Sequence, residues 1–360
     1  MKITFVVPTL NLSGGLRVVS IYAERLSQKG HEVTVVYPKK ALPSFKQRVK
    51  HFLKWKGYQY ESHFDSSYFD NAEYELLTIS NTERILSDDV PDADLVVATW
   101  WKTAEWVNDF SSNKGKKVFF IQGYEAYTGQ PIERVKCTYL LPFYKITIAT
   151  WLVKLMEKEY NSVRPYLVPN SVNHDLFYAC TRKKQDIPTL GFLFSETECK
   201  GVVDALQVIE KLKEKIPNLR VISFGANPQD RIKLPDFIEL SINPEQEKIR
   251  LLYQQCDLWL CCSFVEGFGL TILEAMACRT PSVSTKSGGP EDIISNNVNG
   301  YLCDVNDVLG LTEAAYRVLS FSDEDWLAFS EEAYTFASSY SWDDAAKLFE
   351  SSLQSIILES

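Results

Sequence analysis

Short apolar runs rich in β-branched residues alternate with longer amphipathic stretches along the whole chain, and no other feature constrains its fold as much. The strand-like runs cover residues 3–7, 33–37, 74–79, 95–99, 118–122, 146–149 and 166–168, then 189–194, 220–224, 237–241, 257–262 and 281–285. Helical periodicity falls between them, at residues 15–29, 200–215, 246–255 and 270–278. Because the strand runs are continuously apolar rather than alternating, they imply burial on both faces, hence parallel sheets flanked by helices. The pattern restarts near residue 189, after a polar, strand-free stretch at 171–188 that contains TRKKQD. A chain of 360 residues also suits two domains better than one core. The expected class is therefore α/β, with two Rossmann-like doubly wound parallel-sheet domains, 1–175 and 185–340, facing across a cleft at the strands' C-terminal ends. Residues 341–360 carry a helical apolar stripe (Trp342, Ala345, Ala346, Leu348, Phe349, Leu353, Ile356, Ile357) on a helix expected to pack back on the first domain.

Composition narrows the function. A formal net charge of −9 argues against nucleic acid as a partner, since its phosphates would be repelled. No apolar run reaches the roughly 18 residues that a membrane span needs. The opening MKITFVVPTLNLSGG reads as a first strand and its loop rather than a signal peptide, because the apolar run stops at Pro8. A cytoplasmic protein is expected. The eight cysteines show no C-x-x-C pair and read as reduced, buried thiols, and none of the four histidines has metal-ligand spacing, so neither a metal nor another cofactor is expected.

The most informative stretch is SFVEGFGLTILEAMAC, residues 263–278. A strand ends, Gly267 and Gly269 open a turn, and a helix begins near Leu270. The N–H groups of Phe268, Gly269 and Leu270 would face outward at the positive end of the helix dipole, where an anion is favoured. Glycine lets a diphosphate approach the backbone closely. A carboxylate accepts two hydrogen bonds from a vicinal diol, which suits Glu274 to a ribose and Glu266 to sugar hydroxyls. The same spacing also fits a plain strand-to-helix turn.

This element, Glu266-GFGLTIL-Glu274, resembles the Glu-x7-Glu signature of family 4 of the retaining glycosyltransferases, which have the two-Rossmann-domain GT-B fold. The likeness continues in Ala277-CRTPSV, in Gly288-Gly289-Pro290-Glu291, in VPNSVNHDLF at 168–177 (with Ser171 where the family has Gly) and in TLNLSGGLRVV near the N-terminus. The resemblance implies transfer of a sugar from a nucleotide-sugar donor to a glycan or lipid-linked acceptor, in cell-surface polysaccharide biosynthesis, with the anomeric configuration kept. By the same carry-over, Glu274 binds the ribose and Glu266 the donor sugar. Lys200, ahead of Gly201, neutralises the leaving diphosphate. Gly14 and Gly15 form a loop from the first domain, and the loop 241–244 (Ser241, Ile242, Asn243) meets the base.

Two departures matter. Phe192 or Phe194 stands where the family often has a diphosphate-binding Arg, leaving Arg17, Arg231 and the Ser195 hydroxyl as candidates. The family's first-domain His is replaced in FFIQGYEAY, which offers Gln122, Tyr124 and Glu125 on the acceptor side and resembles a Q-x-Y-E subset that includes bacterial rhamnosyltransferases. After the preceding strand, TWWKTAEW presents aromatic rings suited to sugar stacking or to the core, with Lys102 and Thr103 read as cleft-facing. From Lys39 to Lys56, KKALPSFKQRVKHFLKWK holds seven Lys or Arg and no acid. It reads either as a helix lying on an anionic membrane surface, making the enzyme peripheral on the inner face of the cell membrane, or as an ordinary surface helix. Alternatives to the transferase are a nucleotide-sugar epimerase of the same architecture and an inactive nucleotide-sugar-binding protein.

Overall fold

The structure, a computed structural model, describes residues 1–11, 13–39, 68–70, 72–81, 83–226, 228 and 232–359. The basic stretch from residue 40 to 56 and Arg231 lie outside them. The chain divides into two units: Met1–Thr147, Val153–Val168 and Ala346–Ser360 form the first, and Ile148–Leu152 with Pro169–Ala345 the second.

In the first unit, strands β1 (Lys2–Val6), β2 (Glu32–Pro38), β3 (Glu75–Ile79), β4 (Leu95–Ala98), β5 (Lys116–Ile121), β6 (Tyr144–Thr147) and β7 (Tyr166–Leu167) form one sheet. Its order is β3-β2-β1-β4-β5-β6-β7, with every pair parallel. Helices α1 (Gly14–Gln28), α2 (Trp101–Asn108), α3 (Ile132–Tyr139) and α4 (Thr150–Tyr160) make the crossovers. All four residues of β4 are buried, as expected of a strand covered on both faces.

The second unit repeats the plan. Strands β8 (Thr189–Phe194), β9 (Arg220–Gly225), β10 (Ile238–Ile242), β11 (Leu258–Cys261), β12 (Ser282–Thr285) and β13 (Gly300–Cys303) lie in the order β10-β9-β8-β11-β12-β13, again all parallel. Its helices are α5 (Val202–Lys215), α6 (Gln246–Gln254), α7 (Leu270–Ala277), the short α8 (Pro290–Ile293), α9 (Val308–Leu319) and α10 (Asp323–Ser338). Leu190, Phe192, Val221, Leu258, Leu260 and Val283 from the sheet share a core with Ala205, Val208, Ile209 and Leu212 of α5. Those four recur at helical spacing, so one face of α5 is apolar and buried. β13 was not among the expected strands, because GYLC is short and follows an Asn-rich turn. Its register against β12, Ser282 to Gly300, settles it.

The polar stretch after Ser171 is pinned to the second unit. The Arg182 guanidinium lies 4.5 Å over the Trp326 ring and donates to Thr280 Oγ1 at 3.0 Å. The fully buried Asp257 carboxylate accepts from the N–H groups of Gln185 at 2.8 Å and Thr189 at 2.9 Å. Burial raises its pKa to about 6, against those hydrogen bonds and the nearby Arg182 charge.

The last helix, α11 (Trp342–Leu358), joins the first unit from Ala346 onward. Its Phe349 ring stacks on Tyr22 at 4.4 Å and meets Phe120 edge-on at 5.2 Å, with Phe5 stacked beyond. Glu350 pairs with Lys29 and lies 2.8 Å from His31 Nε2. Among the described residues, no helix is long and apolar enough to cross a membrane. The eight cysteines are free thiols, but only Cys256, Cys262 and Cys278 are buried; Cys199, Cys261 and Cys303 are half-buried, and Cys137, on the outer side of α3, and Cys180, in the polar stretch, are exposed, contrary to the expectation of burial.

Candidate functional site

In a doubly wound sheet the crevice opens where successive crossovers part to opposite sides. In the second unit that point falls between β8 and β11. Leaving β8, the chain turns through Glu198–Lys200 into α5; leaving β11, it runs through Ser263 and Glu266 into α7. The two loops meet. Lys200 Nζ donates to Glu266 Oε2 at 2.7 Å, and Ser263 Oγ donates to the same oxygen at 3.1 Å. Burial alone would push the Lys200 ammonium down; the Glu266 charge and hydrogen bond outweigh it and hold it above its ordinary value. The cation therefore stays charged at any physiological pH. Gly201 makes the approach possible: its φ is +61°, and a Cβ there would sit 1.9 Å from the Cys262 carbonyl oxygen.

Glu266 is fixed by its backbone as well. Its N–H donates to Ser287 O at 2.8 Å, and its carbonyl accepts from Gly289 N–H at 3.0 Å. Gly269, at φ +101°, caps α7, and Leu270 opens it, so the turn of Gly267, Phe268 and Gly269 lies at the helix tip. Phe268 is buried, and its ring meets Tyr340 edge-on at 6.1 Å. Glu274 lies inside α7 at 4% exposure, where its Oε2 accepts from the Tyr253 hydroxyl at 3.0 Å. Tyr253 is itself wedged among Phe177, Phe224 and Trp259. Neither Tyr253 nor Ser263 was singled out from sequence: a Tyr inside an amphipathic helix and a Ser after a strand carry no distinguishing signal.

The expected loop at 241–244 starts later than the sequence suggests. Ser241 and Ile242 belong to β10 rather than a loop, because the ladder to β9 runs on to the Ile242–Gly225 pair. Asn243 follows at φ +44°, so all three lie at the end of an edge strand. The Ser195 hydroxyl accepts from the Thr197 N–H at 3.2 Å, closing its own turn.

In the first unit, the switch point between β1 and β4 holds a pocket of about 490 Å³ lined by Thr9, Ser13, Gly15, Trp100, Gln122, Tyr124 and Glu125 among others. Gly14 and Gly15 form the first turn of α1 instead of a loop, since the extended Ser13 caps the helix immediately before them. Gly15 packs on the Gln122 carboxamide. Thr103 is a clear correction: it is fully buried, and its hydroxyl accepts from the N–H groups of Thr99 and Trp100, both at 3.0 Å. It braces the first turn of helix α2 from within the core instead of facing a cleft. Lys102 lies over the Trp106 ring at 5.8 Å and is absent from the pocket lining. Trp101 and Trp106 are core, leaving Trp100, which sequence did not separate from its neighbours, as the ring in the pocket. Glu125 Oε2 accepts from the Trp101 N–H at 2.8 Å, and burial raises its pKa to about 8 against that hydrogen bond.

Among the described residues, two doubly wound parallel sheets of seven and six strands give the GT-B class of fold. The sucrose-phosphate synthase structure from Thermosynechococcus elongatus superposes at a TM-score of 0.73, with 15% identity over 100% of both chains. Anabaena HepE, solved with UDP and glucose, superposes at 0.72 with 16% identity over 99% of this chain and 100% of that one. In sequence, residues 181–336 match the family described as glycosyl transferases group 1. N-acetyl-alpha-D-glucosaminyl L-malate synthase of Bacillus anthracis is 32% identical over 126 residues, 33% of each protein. The chain thus spans about a third of the length of that curated relative.

Proposed function

We propose that this chain is a retaining glycosyltransferase that moves a hexosyl or deoxyhexosyl group from a nucleotide-sugar donor to a glycan or lipid-linked acceptor, in cell-surface polysaccharide biosynthesis. One observation carries the reading: Lys200 and Glu266 meet at 2.7 Å at the switch point of the second unit, beside the glycine turn that opens α7. The group 1 match over residues 181–336 supports it. Lys200 neutralises the leaving diphosphate and Glu266 holds the donor sugar. The turn at Gly267, Phe268, Gly269 and Leu270 offers N–H donors, and Glu274 takes the ribose diol. Ser195, Ser241, Ile242 and Asn243 border the nucleotide. The pocket of the first unit, with Gln122, Tyr124, Glu125 and Trp100, suits the acceptor.

Retention follows from displacement on one face: the bond from the anomeric carbon to the diphosphate breaks as the bond to the acceptor oxygen forms. The departing phosphate oxygen takes the acceptor's proton, and the protein contributes position and charge. The reading asks for no metal or cofactor beyond the donor. It places the enzyme in the cytoplasm, with residues 39–56 on the anionic inner face of the membrane.

The test is a thermal-shift screen of UDP-, GDP- and dTDP-sugars, then a transfer assay with the anomeric product read by NMR. A ligand at 100 times its Kd adds about 2.7 kcal/mol. An inverted anomer overturns retention; no shift and no transfer with any donor overturns the function.

A further inference from the structure

Trp151 is the second residue of α4, and residues Ile148–Leu152 group with the second unit although the rest of that helix does not. Its indole N–H donates to the Gly267 carbonyl at 3.0 Å, across 116 positions of sequence. Two further contacts hold it there. The Thr150 N–H donates to Asp292 Oδ2 at 2.6 Å, tying the start of α4 to α8. On the other side, the indole packs closely against Gly288, where φ is +111° and an added Cβ would come within 2.6 Å of the ring. Gly288 is thus the residue type that leaves room for the indole.

The consequence lies in the peptide plane. In a planar trans peptide the C=O and the following N–H point in opposite directions. A Gly267 carbonyl held by Trp151 therefore turns the Phe268 N–H away from the indole. The preceding plane is locked in the same manner, its Glu266 carbonyl accepting from Gly289 N–H at 3.0 Å. Among the described residues, the Phe268 N–H donates to no other atom.

We propose that Trp151 is a positioning residue of the donor site: by holding the Gly267–Phe268 peptide, it presents the Phe268 N–H to the diphosphate of the nucleotide sugar. This rests on the function proposed above. Trp151→Phe keeps an aromatic side chain beside Gly288 while removing the N–H donor together with part of the bicyclic ring. The experiment is calorimetric titration of the full chain with UDP, GDP and dTDP, and then with the parent nucleoside of whichever binds the wild type best. The expected result is a Kd for the nucleoside diphosphate raised about tenfold in the variant, with the nucleoside's Kd unchanged. Equal weakening of both ligands reduces Trp151 to a structural role and overturns the proposal; so does a diphosphate affinity that does not change. Wild-type protein that binds none of the three diphosphates overturns the functional reading itself, and the inference with it. Should Trp151→Phe fail to fold, Asp292→Ala, which removes the Thr150 tie, carries the same selective loss at a smaller factor.

Discussion

Glu274 and Glu266 share one motif but sit in different surroundings, so their variants separate binding from turnover. The Tyr253 hydroxyl donates to the Glu274 carboxylate, and Tyr253→Phe removes that hydrogen bond while leaving the ring packing intact. Nucleotide affinity is expected to fall several-fold for a ribonucleoside diphosphate and to stay level for its 2′,3′-dideoxy analogue, as titration of both would show. Glu266→Gln removes the charge opposite Lys200 and is expected to lower kcat by about 10²-fold or more with a smaller change in KM. Glu125 answers to pH. Its folded-state pKa, about 8, lies above that of an exposed glutamate, so the folded chain holds a proton that the unfolded chain releases. Its contribution to stability is full below the ordinary glutamate pKa and drains away as pH rises towards 8. Glu125→Gln keeps an acceptor for the Trp101 N–H and should flatten that decline, seen as a smaller fall in Tm between pH 5 and pH 8 than in wild type. As candidates, Lys200, Glu266 and Glu274 stand out in the sequence because each belongs to a short segment with fixed spacing. Trp151 does not, since its partner lies 116 positions away and only the tertiary fold joins them. Thr103 was misread because a hydroxyl at a helix start and one facing a cleft look alike in sequence.

At the scale of elements, parallel pairing depends on close passage between loops as much as on the strands themselves. Gly201→Ala forces a Cβ into the Cys262 carbonyl at a left-handed φ, and backbone strain alone should cost about 1–3 kcal/mol, read by chemical denaturation. Nucleotide binding should suffer too, because Lys200 immediately precedes the strained turn. Most strands were visible as β-branched apolar runs, since burial on both faces leaves no polar alternation to confuse them. What escaped was short or capped by tertiary contacts. β13 has four residues, and the end of β10 looked like a loop until its ladder to β9 was seen.

For the whole molecule, the two units invite separate tests. Phe349→Ala removes a fully buried ring from the Tyr22 and Phe120 cluster of the first unit and should cost about 3–5 kcal/mol of its stability. Liposome flotation with and without anionic lipid tests the basic stretch at residues 39–56, and binding confined to the anionic vesicles is expected. EDTA is expected to leave transfer activity unchanged. The first unit is also discontinuous, drawing residues 346–360 from beyond the second. A domain translated first ordinarily folds first. Here the ribosome must deliver the intervening domain before Phe349 arrives to seal the earlier one, so the half that is made first is the half that matures last.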